Sequence, residues 1–282
     1  MGADVMVMER KLSLGKRLRK SIRHAAAAAG YHSRPSFMII GAQKAGTTGL
    51  FAMLSKHRQL KHPQEKELHF FDGAKIPYGD FNAYHSHFPL PFSLRGGKVT
   101  YEATPSYLYM PECARRIHDY APTMKLIAIL REPVSRAYSA WNMYSTFGES
   151  DNPYYRSVHD PRSFETAIEE ELEQIASGEP GRGKGYLARG FYAEQLERYY
   201  DHFPTEQLLV LDHAALRDEP QRILTEVCDF IGIDADVELP VMQANKSTYN
   251  SRMTNEIVER LRPVFKAKNE RLYALIGRDL GW

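Results

Sequence analysis

One local pattern constrains the fold more than any other. An apolar run from Ser36 to Ile40 ends in Gly41-Ala42-Gln43-Lys44-Ala45-Gly46-Thr47-Thr48, and a segment with Leu50, Phe51 and Leu54 at helical spacing follows to His57. That order reads as strand, glycine loop, helix. Glycines let backbone N–H groups turn toward an anion, a helix N-terminus favours negative charge, and Lys44 adds a point charge. Thr47 and Thr48 offer hydroxyl donors from the first helical turn. In the loop that binds nucleoside triphosphates the lysine follows the second glycine; here Thr47 holds that place and the lysine stands two residues before Gly46. Hydrolysis of a triphosphate is therefore not the expectation, and the plain alternative is a tight strand-to-helix turn carrying an exposed lysine.

The rest of the chain repeats the alternation. Strands are expected over Lys98 to Tyr101, Lys125 to Leu130 and Gln207 to Leu211, the last leading to Asp212. Helices are expected over Pro111 to Tyr120, from Pro133 through Tyr138, Trp141 and Tyr144, over Phe191 to His202, Glu219 to Ile231 and Asn255 to Ile276. Glu149 to Arg162 and Ser177 to Gly185 read as loops, the kind of exposed segment that often flanks a site. Strands separated by helices of this length imply an α/β fold, P-loop-like, with a mostly parallel sheet and helices on both faces. Ligands in such sheets bind beyond the carboxyl ends of the strands, where the glycine loop falls.

At 282 residues one domain is the expectation, spanning residues 35–282 after a basic N-terminal arm, 1–34, with some helix of its own. A hydrophobic share of 43% and a charged share of 26% exclude disorder and fibrous repeats. The net charge of +2 does not call for nucleic acid, but Arg10, Lys11, Lys16, Arg17, Arg19, Lys20 and Arg23 crowd the start. A solvated arm is the plain reading, weak contact with a membrane surface the alternative. No run reaches the roughly 18 to 20 apolar residues that span a bilayer, and the alanines from Ala25 are too weakly apolar for a signal-peptide core, so a cytoplasmic location is expected. Cys113 and Cys228 lack metal-ligand spacing and read as small core residues.

The strand Lys125 to Leu130 ends in Arg131, where a nucleotide hydrolase commonly places a metal-binding carboxylate. A guanidinium fork suits a phosphate rather than a metal. Ser139, eight residues on, stands about two helical turns along the next helix and can donate to the same anion. Asp212 keeps the hydrolase reading open.

Gly41 to Thr48, followed by Arg131-Glu132-Pro133-Val134-Ser135-Arg136-Ala137-Tyr138-Ser139, resembles the paired signatures of sulfotransferases that use 3′-phosphoadenosine 5′-phosphosulfate (PAPS). The likeness is closest to the heparan sulfate 3-O- and N-sulfotransferase domains and their bacterial relatives. It extends through Gly190-Phe191-Tyr192-Ala193 to the ending Gly277 to Trp282. The resemblance implies that Lys44, Ala45, Gly46, Thr47 and Thr48 hold the 5′-phosphosulfate, that Arg131 and Ser139 hold the 3′-phosphate, and that Tyr192 and Lys246 join the nucleotide site. The implied product is 3′-phosphoadenosine 5′-phosphate (PAP), and no metal is called for.

Sulfuryl transfer needs in-line positioning, stabilisation of the leaving group and a base for the incoming hydroxyl. Lys44 can supply the leaving-group charge. Lys66-Glu67-Leu68-His69-Phe70-Phe71 offers a carboxylate and an imidazole two residues apart, which point the same way on an extended segment. The resemblance makes Glu67 the base and His69 its orienting partner or an acceptor contact. The implied partner is a hydroxyl-bearing glycan or glycoconjugate. Two positions depart from the heparan pattern: Thr48 stands where those enzymes carry arginine, and Ala103 where they carry lysine after the strand glutamate. The rival expectations are a triphosphate-dependent kinase or hydrolase and a non-catalytic nucleotide-binding protein.

Overall fold

A computed structural model describes residues 21–178, 183–235 and 253–282. The chain runs β1 (Phe37–Gly41), α1 (Thr47–Leu54), β2 (Leu60–Lys61), α2 (Phe81–His85), β3 (Val99–Ala103) and α3 (Cys113–Tyr120). It continues through β4 (Lys125–Leu130), α4 (Pro133–Ser145), α5 (Pro153–Ser157), α6 (Phe164–Ala176), α7 (Tyr192–Tyr200), β5 (Leu208–Asp212), α8 (His213–Asp218), α9 (Pro220–Ile231) and α10 (Asn255–Ile276). The five strands form one parallel sheet in the order β2-β3-β1-β4-β5.

β1 lies in the middle because it is apolar throughout: Phe37 to Ile40 are fully buried, as are Leu126 to Leu130 of β4 beside it. Strands buried on both faces need helices on both sides. The chain leaves β1 toward β3 and later crosses to β4, so the order reverses at β1. The crevice that such a reversal opens lies past the carboxyl ends of β1 and β4. A second apolar cluster joins α4, α6 and α10 through Ala137, Phe164, Ile168, Leu261 and Phe265.

Several elements differ from the sequence-based expectation, among them the short helices α2 and α8, which are too brief for a periodic signal. α6 went unread, although Ser163 caps it by accepting from Thr166 N at 3.1 Å. The stretch Glu149 to Arg162 is not wholly loop: Asn152 accepts from Tyr154 N at 3.0 Å and, with Pro153 behind it, starts α5. β2 has two residues, too few for any periodic signal. The N-terminal segment packs on the body, with Arg23 Nη1 donating to the Phe88 carbonyl and His32 stacked on His85 at 4.0 Å. Among the described residues no helix is long and apolar enough to cross a membrane.

Candidate active site

The loop after β1 is built by close approach. A Cβ on Gly41 would stand 2.5 Å from Leu108 Cβ, so glycine alone fits against the turn that follows β3. Lys44 and Gly46 adopt left-handed φ of 67° and 95°. Gly46 is the N-cap of α1 and supplies no side-chain cap, which leaves the first-turn N–H groups facing the anion position. Ala45 and Thr47 are buried, whereas Thr48 is exposed at the loop rim.

Arg131 leaves β4 on the adjacent side of the crevice, and its Nη1 donates to the Lys44 carbonyl at 3.1 Å. The two anion-binding features of the sequence thus meet. Glu132 caps α4 by accepting from Val134 N at 2.9 Å and Ser135 N at 2.7 Å, so its carboxylate already occupies that helix N-terminus. Ser139 lies about two turns along the same helix and is buried. Tyr192 is buried and donates its hydroxyl to the Arg131 carbonyl at 2.8 Å. It braces the arginine from behind. Lys246 lies outside the described residues.

His213, which opens α8, packs under the loop: a Cβ on Gly46 would meet its Cδ2 at 3.1 Å. Burial and the neighbouring Arg131 and Arg217 hold its pKa down at about 4. Asp212, the carboxylate that kept the hydrolase reading open, accepts from Ala214 N at 3.1 Å and Ala215 N at 3.3 Å. Its oxygens serve as a helix cap.

The segment from Glu67 to Phe71 crosses the mouth of β3, tied there by Glu67 N donating to the Ala103 carbonyl at 3.0 Å and Phe70 N donating to Tyr107 Oη at 2.9 Å. Glu67 and His69 come together, His69 Nε2 to Glu67 Oε2 being 3.9 Å, but not on an extended segment. Both take left-handed φ, 62° and 50°, a conformation rare outside glycine that tertiary contacts must impose. Lys66 pairs with the Glu67 carboxylate.

Sequence reasoning missed Asp72. Its carboxylate stands 2.8 Å from His69 Nδ1, takes a hydrogen bond from Ser106 Oγ, and accepts from Ala74 N at 3.1 Å. Burial alone would raise its pKa, but the bonds from His69 and Ser106 outweigh it and hold the acid below its ordinary value. The charged form orients the imidazole toward Glu67. The signal was present as a third polar residue in one short segment, Glu67, His69, Asp72, yet only the fold shows that Ser106 closes the network.

Glu102, whose following residue departs from the heparan pattern, is fully buried. It accepts from Tyr107 Oη at 2.6 Å and Thr104 Oγ1 at 2.9 Å, and from the Tyr84 hydroxyl. Burial pushes its carboxyl up while the hydroxyl donors pull it down, and burial prevails. Tyr84 and His85 lie in an aromatic cluster with Phe70, Phe71 and Tyr120. Among the described residues no group of His, Cys, Asp and Glu is arranged to hold a metal.

Fold and site together define an α/β protein whose glycine loop after β1 and arginine after β4 meet at the carboxyl edge of a parallel sheet. The chain belongs to the sulfotransferase domain family, whose model matches residues 34–271. A sulfotransferase structure from Alicyclobacillus acidocaldarius is 31% identical, superposes with a TM-score of 0.72 and is covered over 98% of its length by 88% of this chain. The membrane-associated sulfotransferase kil1 of Dictyostelium discoideum is 27% identical over 88% of this chain and 66% of its own length. The human bifunctional heparan sulfate N-deacetylase/N-sulfotransferase 3 is 30% identical over 71% of this chain and 22% of its own. The chain thus spans under two thirds of these curated relatives.

Proposed function

We propose that this chain transfers a sulfuryl group from PAPS to a hydroxyl or amine of a carbohydrate acceptor, with Glu67 as general base. The observation that carries the reading is the hydrogen bond from Arg131 to the Lys44 carbonyl, which joins the loop suited to the 5′-phosphosulfate to the arginine suited to the 3′-phosphate. PAPS supplies the sulfuryl group, and its two anionic ends match those two features. Lys44 and the first-turn N–H groups of α1 stabilise negative charge on the departing phosphate. Glu67 takes the acceptor proton, and His69, held by Asp72, keeps that carboxylate oriented. The commitment of Asp212 to capping α8 argues against a magnesium-dependent hydrolase. A carbohydrate acceptor is supported by the likeness to the heparan sulfate enzyme.

Isothermal titration with PAP in the presence of EDTA, set against ADP with Mg²⁺, tests the donor half. Metal-independent binding of PAP is expected. Preference for Mg-ADP overturns the reading. Incubation with radiolabelled PAPS and a panel of glycans then tests the acceptor half, with label expected in a glycan product and no transfer above the protein-free control counting against it.

A further inference from the structure

A row of aromatic rings leads from the donor loop to solvent. It begins at Tyr144, near the end of α4, whose hydroxyl accepts from Gln43 Nε2 at 3.2 Å, one residue before Lys44. Phe147 meets Tyr144 edge-on at 5.7 Å, Tyr155 stacks on Phe147 at 4.7 Å, and Tyr154 stands 5.7 Å from Tyr155. The last two rings are open, Tyr154 67% exposed and Tyr155 42%. Single exposed aromatics are ordinary on a protein surface; a contiguous row in mutual contact that starts at a functional loop marks a binding surface.

The short helix α5 holds the outer rings in place through the Asn152 cap, and Arg156 Nη1 donates to the Ser150 carbonyl at 2.6 Å. Tyrosine presents large rigid area at small entropic cost, with one apolar face and a polar tip. The charge along the row is mixed. Lys184 sits over the Tyr144 ring at 4.6 Å, and burial lowers its pKa, while Glu149 and Asp151 flank the outer rings in solvent. With Arg156 exposed on the same short helix, two cations stand against two carboxylates along the row, so it offers a densely sulfated chain no net attraction, and the ring-to-ring steps of 4.7 to 5.7 Å are on the scale of one sugar ring. A single phenol would use one ring and leave the rest uncovered.

Resting on the sulfotransferase reading, we infer that this row forms the acceptor subsite and takes a neutral glycan, the exposed rings of Tyr154 and Tyr155 meeting its pyranose faces while Phe147, stacked on Tyr155, and Tyr144, edge-on to Phe147, tie them to the donor loop. The test is titration of PAP-loaded protein with cellotetraose as the neutral probe, a heparan-derived tetrasaccharide as the anionic probe and p-nitrophenol as the single-ring probe. Cellotetraose is expected to bind, and the double variant Tyr154→Ser/Tyr155→Ser to weaken it about tenfold or more. PAP affinity, read in the same titrations, is expected to stay at the wild-type value, which shows that the variant is folded. Tighter binding of the heparan probe, binding of p-nitrophenol alone, no glycan binding with PAP in place, or undiminished affinity in the variant each overturn the inference. Failure of PAP itself to bind is a different result, since it removes the donor reading on which the subsite rests.

Discussion

Glu67 and His69 are held in backbone conformations that neither side chain favours, at φ of 62° and 50°. Strain of about 1–3 kcal/mol per residue persists only where surrounding bonds over-determine it, here Glu67 N on Ala103 and Phe70 N on Tyr107. A positioned base contributes roughly a hundred to ten-thousand-fold, so Glu67→Gln is expected to lower kcat by that factor while PAP affinity by titration stays nearly unchanged. Asp72→Asn removes the charged acceptor at His69 Nδ1. Its kcat is expected to fall at least about tenfold with PAP affinity retained, and a variant with wild-type kcat removes Asp72 from the mechanism. Glu67 and His69 stand out as a carboxylate and an imidazole two residues apart, but it is the family resemblance that makes Glu67 the base. Asp72 shows in the sequence only as a third polar residue nearby, because an aspartate three residues from a histidine meets it only if the chain turns there.

The loop after β1 and the arginine after β4 are each legible as elements, since glycine, lysine and hydroxyls between an apolar run and a helical pattern have few other uses. Their junction is not, because 87 residues separate Arg131 from Lys44. Arg131→Lys replaces a fork by a point charge. Its affinity for PAP is expected to fall by about 1.5–3 kcal/mol, while adenosine 5′-phosphosulfate, which lacks the 3′-phosphate, is expected to bind as it does to the wild type. Gly46→Ala meets two obstacles: a φ of 95° and a Cβ position 3.1 Å from His213 and 3.3 Å from Leu216. A urea midpoint shift equivalent to about 1 kcal/mol or more is expected, together with weakened PAP binding; an unchanged midpoint and affinity would show that the loop does not need this conformation. Neither departure from the heparan pattern disturbs the fold: Thr48 lies exposed at the rim and Ala103 is buried at the end of β3.

At the scale of the molecule, buried histidines are one source of sensitivity to acid. His85, the last residue of α2, packs between His32 and Tyr120, and burial, with His32 and Arg34 nearby, lowers its pKa to about 4. An unfolded histidine takes its proton near pH 6.5, so between about 6.5 and 4 the unfolded chain holds more protons than the folded one. Stability is therefore expected to fall as pH drops through that window, by about 3 kcal/mol from His85. His213, also at about 4, acts in the same direction. Urea unfolding at pH 7 and pH 5 checks this: the loss is expected to be smaller in His85→Phe than in the wild type, and an equal loss would place the acid sensitivity elsewhere.

The alternation of strands and helices, the anion loop, Arg131 and the family likeness were readable from residue order, because each depends on neighbours within one helical turn or one strand. The fold class followed, since buried apolar strands joined by helices have few arrangements. Strand order, the bond from Arg131 to Lys44, the conversion of Asp212 into a helix cap, the left-handed backbone at Glu67 and His69 and the network through Asp72 and Ser106 all depend on packing between segments distant in the chain. No local preference encodes these contacts. They exist because the sheet brings the carboxyl ends of β1, β3 and β4 to one edge, and the loops beyond those ends then satisfy one another's polar groups.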